Sequence, residues 1–399
     1  MLRSLASLVV VLFLTTYARS DDWRDHLALA TPRQEVGVAA LAGRVYVIGG
    51  ILVDRSATGL VSCYDVAAGQ WDEVASLPED TELHHVGATA VGGRVYAIGG
   101  LDGSFRGSRT VFAFDPGAGE WSRAQDLPWR RGSMAVATWD GRVVVAGGQD
   151  GSTSFPDAAI YDPKENEWSE LPPLGIARNH LVGAVIDDRF YAIGGRARSL
   201  FSVVEGLDLS TPAATWLEFA ALPTARAGMA ASVIGRSIYV FGGEGNRARG
   251  DGIFPQLESF DVDRREWTER ADMANPRHGI GAATVDDRIY LPGGSPRQGF
   301  GVTGVHDSFA PEATFLRGDS NRDGAVEVSD AIRTLRHLFV DGIALPCRDA
   351  ADSDDSGRLE LSDAIFLLNF LFAGGTVPPA PGPVHPGADP TDDQLTCRA

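Results

Sequence analysis

The sequence predicts an all-β fold of six four-stranded blades, a β-propeller, closed by an N-terminal strand and followed by a small α-helical domain. Three observations predict it. Glycine doublets recur at Gly49-Gly50, Gly99-Gly100, Gly147-Gly148, Gly194-Gly195, Gly242-Gly243 and Gly293-Gly294, in steps of 50, 48, 47, 48 and 51 residues. Each doublet ends a β-type run, as in Arg44-Val45-Tyr46-Val47-Ile48 and Arg189-Phe190-Tyr191-Ala192-Ile193. Short strands repeating at such a period indicate blades arranged around an axis.

The elements of one blade follow in order. An Ala/Val-rich strand leads to a turn such as Gly92-Gly93, Asp140-Gly141 or Asp187-Asp188, and then to the strand that ends in the doublet. After a variable loop comes a strand ending in an aromatic-Asp pair: Tyr64-Asp65, Phe114-Asp115, Tyr161-Asp162 and Phe260-Asp261, with Leu207-Asp208 and His306-Asp307 as weaker copies. Trp71, Trp121, Trp168, Trp216 and Trp267 mark the outer strands. This order of residues resembles the kelch repeat over about residues 23–310. The sixth copy lacks its tryptophan, and Trp23-Arg24-Asp25 reads as the missing outer strand. Pairing it with the strand near Val302–His306 closes the ring and removes open sheet edges.

The ends and the composition bound the function. Met1–Ser20 combines Arg3, an apolar run from Leu5 to Leu14 and the small-residue site Ala18-Arg19-Ser20, which reads as a signal peptide. The protein is therefore expected to be exported as a monomer with no transmembrane segment. A net charge of −18 excludes nucleic acid as a partner, because binding phosphates needs a basic surface. Cys347 and Cys397 flank the second tail motif and are candidates for a disulfide; Cys63 is expected as a buried free thiol. The expected domains are residues 21–314 for the propeller, 315–376 for the helical module and 377–399 for an extended Pro-rich acidic tail.

Two acidic loops carry the sharpest chemistry. The first offers Asp319, Asn321, Asp323, Ala325, Glu327 and Asp330; the second, 33 residues later, offers Asp352, Asp354, Ser356, Arg358, Glu360 and Asp363. Gly324 and Gly357 sit sixth in each loop. A hard cation such as calcium takes six or more oxygens, with Ala325 and Arg358 supplying main-chain carbonyls, and the glycine permits the sharp turn. Ser356 replaces an acid, so the second site should be weaker. Each loop leads into an amphipathic pattern, Ile332, Leu335, Leu338 and Phe339, then Ile365, Leu368, Leu371 and Phe372. The duplicated unit resembles the dockerin module. That resemblance implies two calcium ions and a cohesin-like or cell-surface partner, met through Val328-Ser329 and Leu361-Ser362 and the helix faces.

One face of the ring gathers arginine. Sixteen residues before each doublet stand Arg33, Leu83, Arg131, Arg178, Arg226 and Arg277, with His84 and His85 beside the exception. The loops after the doublets add Arg55, Arg106, Arg196, Arg198, Arg247, Arg249 and Arg297, with Phe105, Phe155, Phe201, Phe254 and Phe300, and Trp129 comes from an inter-blade loop. Arginine forks suit carboxylates and aromatic faces suit sugar rings, so an acidic glycan or peptide is the expected ligand. In kelch relatives that grip acidic peptides, arginines entering the inner strands contact ligand, which the resemblance extends to Arg33, Arg131, Arg178, Arg226 and Arg277. The alternative is an enzyme: some exported six-bladed kelch proteins isomerise sialic acid, a mutarotase or epimerase activity for which His84, His85, Glu244 or Asp102 would serve as acid and base. Copper oxidation is set aside, since Cys63 is the propeller's only cysteine and the sequence shows no Tyr/His cluster.

Overall fold

The computed structural model describes residues 22–391 except 79, 80, 212, 213 and 313, together with 393, 395 and 397. The signal peptide read from Met1–Ser20 lies outside the described residues. The chain divides into two compact units, Asp22–Ala310 and Pro311 onward.

The first unit is a six-bladed propeller. Blade 1 is the antiparallel meander Gly37–Leu41, Arg44–Ile48, Val61–Asp65 and Gln70–Val74, and blades 2 to 5 repeat that order. Blade 6 has Ala283–Val285, Arg288–Pro292 and His306–Ala310, and Asp22–Asp25 completes it as the outer strand. The closing register is Trp23 opposite Phe309 and Asp25 opposite Asp307. Ile289 also faces Phe309, as Val45 faces Tyr64 in blade 1. The sixth aromatic of the repeat is therefore Phe309, not His306: Ala310 stands where the other blades carry Asp, so His306-Asp307 mimics the pair in the sequence.

Apolar layers fill the gaps between neighbouring blades. Tyr46, Ile48 and Val61 of blade 1 pack with Val95, Phe112 and Phe114 of blade 2, and comparable clusters occupy the next gaps. Cys63 is a buried free thiol in the first of these layers. At the outer rim five tryptophans donate the indole N–H to a carbonyl of the preceding blade: Trp71 to Leu27, Trp121 to Ala75, Trp168 to Gln125, Trp216 to Pro172 and Trp267 to Ala220, at 2.7–3.0 Å, whereas Trp23 Nε1 of blade 6 is buried without such a bond.

The doublets form the inner seam. Their first glycines all have positive φ, and a Cβ at Gly49 or Gly242 would lie 2.4 or 2.2 Å from the carbonyl oxygen of Leu83 or Arg277 in the next blade. The second glycine donates its N–H to that same carbonyl. Gly50, Gly100, Gly148, Gly195, Gly243 and Gly294 bond Leu83, Arg131, Arg178, Arg226, Arg277 and Arg33 in turn, at 2.7–3.0 Å, and the circle closes. Only glycine lets two backbones approach so closely.

The second unit is a small helical module. Helix α1 (Val328–Phe339) and helix α3 (Leu361–Ala373) pack through Ala331, Ala364 and Leu367, with the short helix α2 (Arg348–Ala351) between them in sequence. Asp330 and Asp363 cap their own helices by accepting the main-chain N–H of Glu327 and Glu360. The apolar pattern divides between two faces: Ile332, Phe339, Ile365 and Phe372 are exposed, while Leu335, Leu368 and Leu371 pack against the Ala331, Ala364 and Leu367 contact. Nor is the Pro-rich end extended. Phe315 exchanges two backbone hydrogen bonds with Gly387, buried Arg317 bonds Ala380 O and Asp389, and Cys347 is bonded to Cys397. A buried guanidinium needs partners, and the terminal segment supplies them.

Gly242→Ala and Gly235→Ala form a matched pair, since both sites have φ near +60° but only the first lacks space. Gly242→Ala should cost about 1–3 kcal/mol more, measured by denaturant midpoints.

Candidate functional site

The arginines expected to bind ligand are buried staples. Arg33, Arg178, Arg226 and Arg277 are fully buried, and each donates Nε to the first glycine of its own doublet: Gly49, Gly194, Gly242 and Gly293, at 2.8–3.0 Å. Their Nη2 atoms bond Val47, Ala192, Val240 and Leu291 carbonyls. The remaining donors reach the third strand: Ser62, Glu205, Glu258 and Asp307. Arg131 departs from this pattern by pairing with Asp157 and stacking 3.7 Å from the Phe155 ring, while Trp129 lies against the blade 2–3 core. A guanidinium whose forks are used within its own blade has none to offer a ligand, so Arg33, Arg178, Arg226 and Arg277 are corrected to structural roles, while Arg131 is held by Arg130 O, Asp157 and the Phe155 ring and half-buried Trp129 packs beside it.

Two residues beyond each arginine position the chain turns toward the axis. Glu35, His85, Ser133, His180, Gly228 and Gly279 all have φ between 51 and 67°. The N–H of each bonds the carbonyl of the one before, and Glu35 N–H meets Gly279 O, so six hydrogen bonds of 2.7–3.1 Å form a closed ring. These six residues line a cavity of about 100 Å³ on the axis. The two glycines make the room: a Cβ at Gly279 would sit 2.8 Å from Glu35 Oε1, and one at Gly228 would meet His278 Nδ1 and the Glu244 side chain at 3.5 Å.

Four imidazoles and two carboxylates converge there. His85 Nε2 lies 3.0 Å from both Glu35 Oε2 and His180 Nε2, and its Nδ1 contacts His84 Nδ1. His180 Nδ1 bonds Asn179 Oδ1, and its Nε2 accepts from Arg196 Nη2 at 3.0 Å. Arg196 also pairs with Glu244, which accepts the N–H of Gly299. His278 Nε2 faces Arg297 O at 3.0 Å, so in the neutral ring the lone pair is on Nδ1, 3.5 and 3.6 Å from Glu35 and Glu244. Burial pushes the Glu35 carboxyl up to about 7, with nearby Glu244 adding to the effect. Burial, with Arg196 and His278, holds His85 down at about 3, and burial and Arg196 drive His180 well below the usual imidazole range. Burial works against ionised Glu244, but His278, Arg196 and the Gly299 amide together hold it below the ordinary carboxylate value.

Sequence reading named His84, His85 and Glu244 but missed Glu35, His180 and His278 as members of this cluster. The sequence showed no Tyr/His cluster; here histidines do gather, but no tyrosine is among the described residues that line the cavity. Asp102 lies beside His84, but its carboxylate is engaged within its own loop, accepting from the Ser104 and Arg106 N–H groups and the Arg106 guanidinium. One signal was available: fourteen residues before each doublet the chain reads Glu, His, Ser, His, Gly, Gly.

The loops on this face carry the free arginines. Those of blades 4 and 5 enclose a cleft of about 630 Å³ lined by Arg196, Arg198, Arg247, Asn246, Phe254 and Gln298. Arg198 and Arg247 are exposed, whereas Arg106 and Arg249 are paired with Asp102 and Asp251.

In the C-terminal unit the two acidic loops fold alike. The N–H groups of Asp323 and Gly324 point at the Asp319 carboxylate, and those of Ser356 and Gly357 at Asp352, at 2.8–3.1 Å. Asp352, Asp354 and Asp363 bring ligand oxygens within 4.8 Å of one another, and Asp354 Oδ1 is buried without a partner. Burial, with Asp352 and Asp354 beside it, pushes Asp363 up to about 8. Concentrated, under-neutralised carboxylate oxygens fit a hard cation.

The staple assignment predicts that Arg226→Ala, which leaves Glu258 buried without its cation, costs about 3–5 kcal/mol in denaturant unfolding. A variant as stable as the parent would contradict it.

Comparison with known proteins bears on the repeat. A family model described as the KLHDC2/KLHL20/DRC7 Kelch-repeats domain matches residues 18–195, and one described as the Kelch motif matches residues 225–274. The chain is 31% identical over 306 residues to Kelch-like protein terF of Aspergillus terreus, covering 72% of this chain and 55% of that one. It is 34% identical over 105 residues to Kelch-like ECH-associated protein 1B of Danio rerio, covering 26% and 18%. The chain thus spans about half the length of the first relative and about a fifth of the second. The solved structure of YjhT superposes with a TM-score of 0.61 at 15% identity, covering 70% of this chain and 95% of that chain, which shows a shared fold. With the seam, the closing strand and these matches in hand, the propeller of this chain is built of kelch repeats.

Proposed function

We propose that the propeller is an exported binding module that takes an acidic glycan or peptide in the cleft between the loops of blades 4 and 5. The cleft itself carries this reading. Arg198 and Arg247 are exposed in a concavity with Phe254 and Leu200, on a protein of net charge −18 that neutralises most of its other arginines. Two guanidinium forks grip a carboxylate or sulfate, and the apolar wall accepts a ring face. The acidic ligand expected from sequence is kept, but through loop arginines rather than the buried ring.

A second reading is isomerisation of an acidic sugar of the sialic acid type. Arg196 favours it, because this residue lines the cleft and touches both His180 and Glu244. The axis cavity works against it: about 100 Å³ is too small for a sugar of that size, so the ligand would have to react from the cleft.

For the C-terminal unit we infer two calcium ions. Asp319, Asn321, Asp323, Ala325 O, Glu327 and Asp330 would hold one, and Asp352, Asp354, Ser356, Arg358 O, Glu360 and Asp363 the other. Bound calcium neutralises the crowded carboxylates and stabilises a fold with a small apolar core. Val328, Ile332 and Phe339 on α1 and Leu361, Ile365 and Phe372 on α3 are exposed at the same offset of 33 residues. This duplicated apolar face supports docking to a cohesin-like protein partner.

Titration calorimetry against glucuronate, sialic acid, sulfated glycans and acidic peptides tests the cleft. Arg198→Ala with Arg247→Ala should weaken the best ligand at least about tenfold, or about 1.4 kcal/mol; unchanged affinity removes the reading. NMR of sialic acid anomers separates binding from turnover, with binding alone expected. Removing calcium with a chelator should lower the melting temperature of the C-terminal unit, and Asp319→Ala should abolish one of two calcium-binding steps.

A further inference from the structure

Three donors on the propeller axis form a unit that neither binding reading uses. Glu35, His85 and His180 each offer one ligand atom, and these atoms lie within 4.8 Å of one another. They come from blades 1, 2 and 4, so only the closed ring brings them together. We propose that Glu35, His85 and His180 bind a divalent transition-metal ion of the zinc type on the propeller axis. Two imidazoles and a carboxylate suit such borderline ions, and calcium and magnesium prefer all-oxygen sets.

Four further observations point to a ligand. The cavity these residues line, about 100 Å³, has room for an ion and a few waters. His278 is fully buried, and its Nδ1 has no hydrogen-bond partner while facing Glu35 and Glu244. That nitrogen is placed as a further donor. The far ring nitrogens of the two coordinating histidines are held by their chain neighbours, His85 by His84 and His180 by Asn179, as orienting partners of metal-bound imidazoles usually are. Gly228 and Gly279 keep the opposite side of the ring clear.

Arg196 competes for the site, since its Nη2 bonds the His180 Nε2 that the metal would take. Its other contact, with Glu244, can remain when Nη2 withdraws. Metal binding therefore replaces the Arg196–His180 hydrogen bond and the direct contacts of His85 Nε2 with Glu35 and His180 by coordination bonds, and it leaves the backbone ring between the blades intact.

The test uses the full chain with calcium in excess, so that the acidic loops of the C-terminal unit are saturated. After zinc addition and desalting, elemental analysis should find one zinc per chain. Glu35→Gln and His180→Gln should each lower retention at least about tenfold, Arg196→Ala should bind at least as tightly as the parent, and Asp363→Asn should change nothing. X-ray absorption of the zinc-loaded parent needs no variant and should show at least two imidazoles. Parent protein that retains no zinc, variants that retain it fully, or a spectrum without imidazole would each overturn the proposal.

Discussion

The close approach of each glycine doublet to the next blade is the constraint on which the rest of this structure depends. At that seam one backbone carbonyl occupies the space where a Cβ would stand, and the second glycine donates to it. Six such contacts run around the ring, and the last joins Gly294 to Arg33 across the junction between the start and end of the propeller. A propeller has no single core, so its blades must be held edge to edge. Here three concentric layers do so: indole N–H groups at the rim, apolar side chains between the sheets, and backbone hydrogen bonds at the centre.

The seam also determines what the buried arginines are for. Except for Arg131, each arginine whose carbonyl receives the preceding blade's glycine uses its side chain to tie its own doublet to its own third strand. The guanidinium thus fixes the position of a carbonyl that the neighbouring blade depends on. Two residues later the chain turns inward at a positive φ and presents a side chain to the axis. Stapling and presentation alternate within three residues. The scaffold residues are nearly invariant from blade to blade, and the presented ones vary. Chemistry can therefore change at the axis without disturbing closure.

The fold was largely legible because its cause is periodic. Glycine doublets, aromatics and tryptophans recur, and their order alone places Trp23 as the outer strand of blade 6. His306 was misaligned for the opposite reason, since Phe309 is followed by Ala310 and the acid of the repeated pair is found instead at His306-Asp307. The arginine ring was legible as a position but not as a role. The partners Ser62, Asp157, Glu205, Glu258 and Asp307 lie 26 to 32 residues downstream and differ in type, so no linear pattern announces that the guanidiniums are consumed. The axis cluster was hidden more deeply. Each blade contributes one residue, and Glu35, His85 and His180 share a wall only once the ring closes. In the C-terminal unit the ligand spacing was explicit, but which helix face turns outward depended on packing through alanines.

Amide hydrogen exchange at the six axis positions tests the central claim most directly. Glu35, His85, Ser133, His180, Gly228 and Gly279 should exchange together, and only through global unfolding, with Glu35 as protected as the others although its bond spans the ring junction. Fast, loop-like exchange at Glu35 and Gly294 beside slow exchange elsewhere would contradict a closed seam.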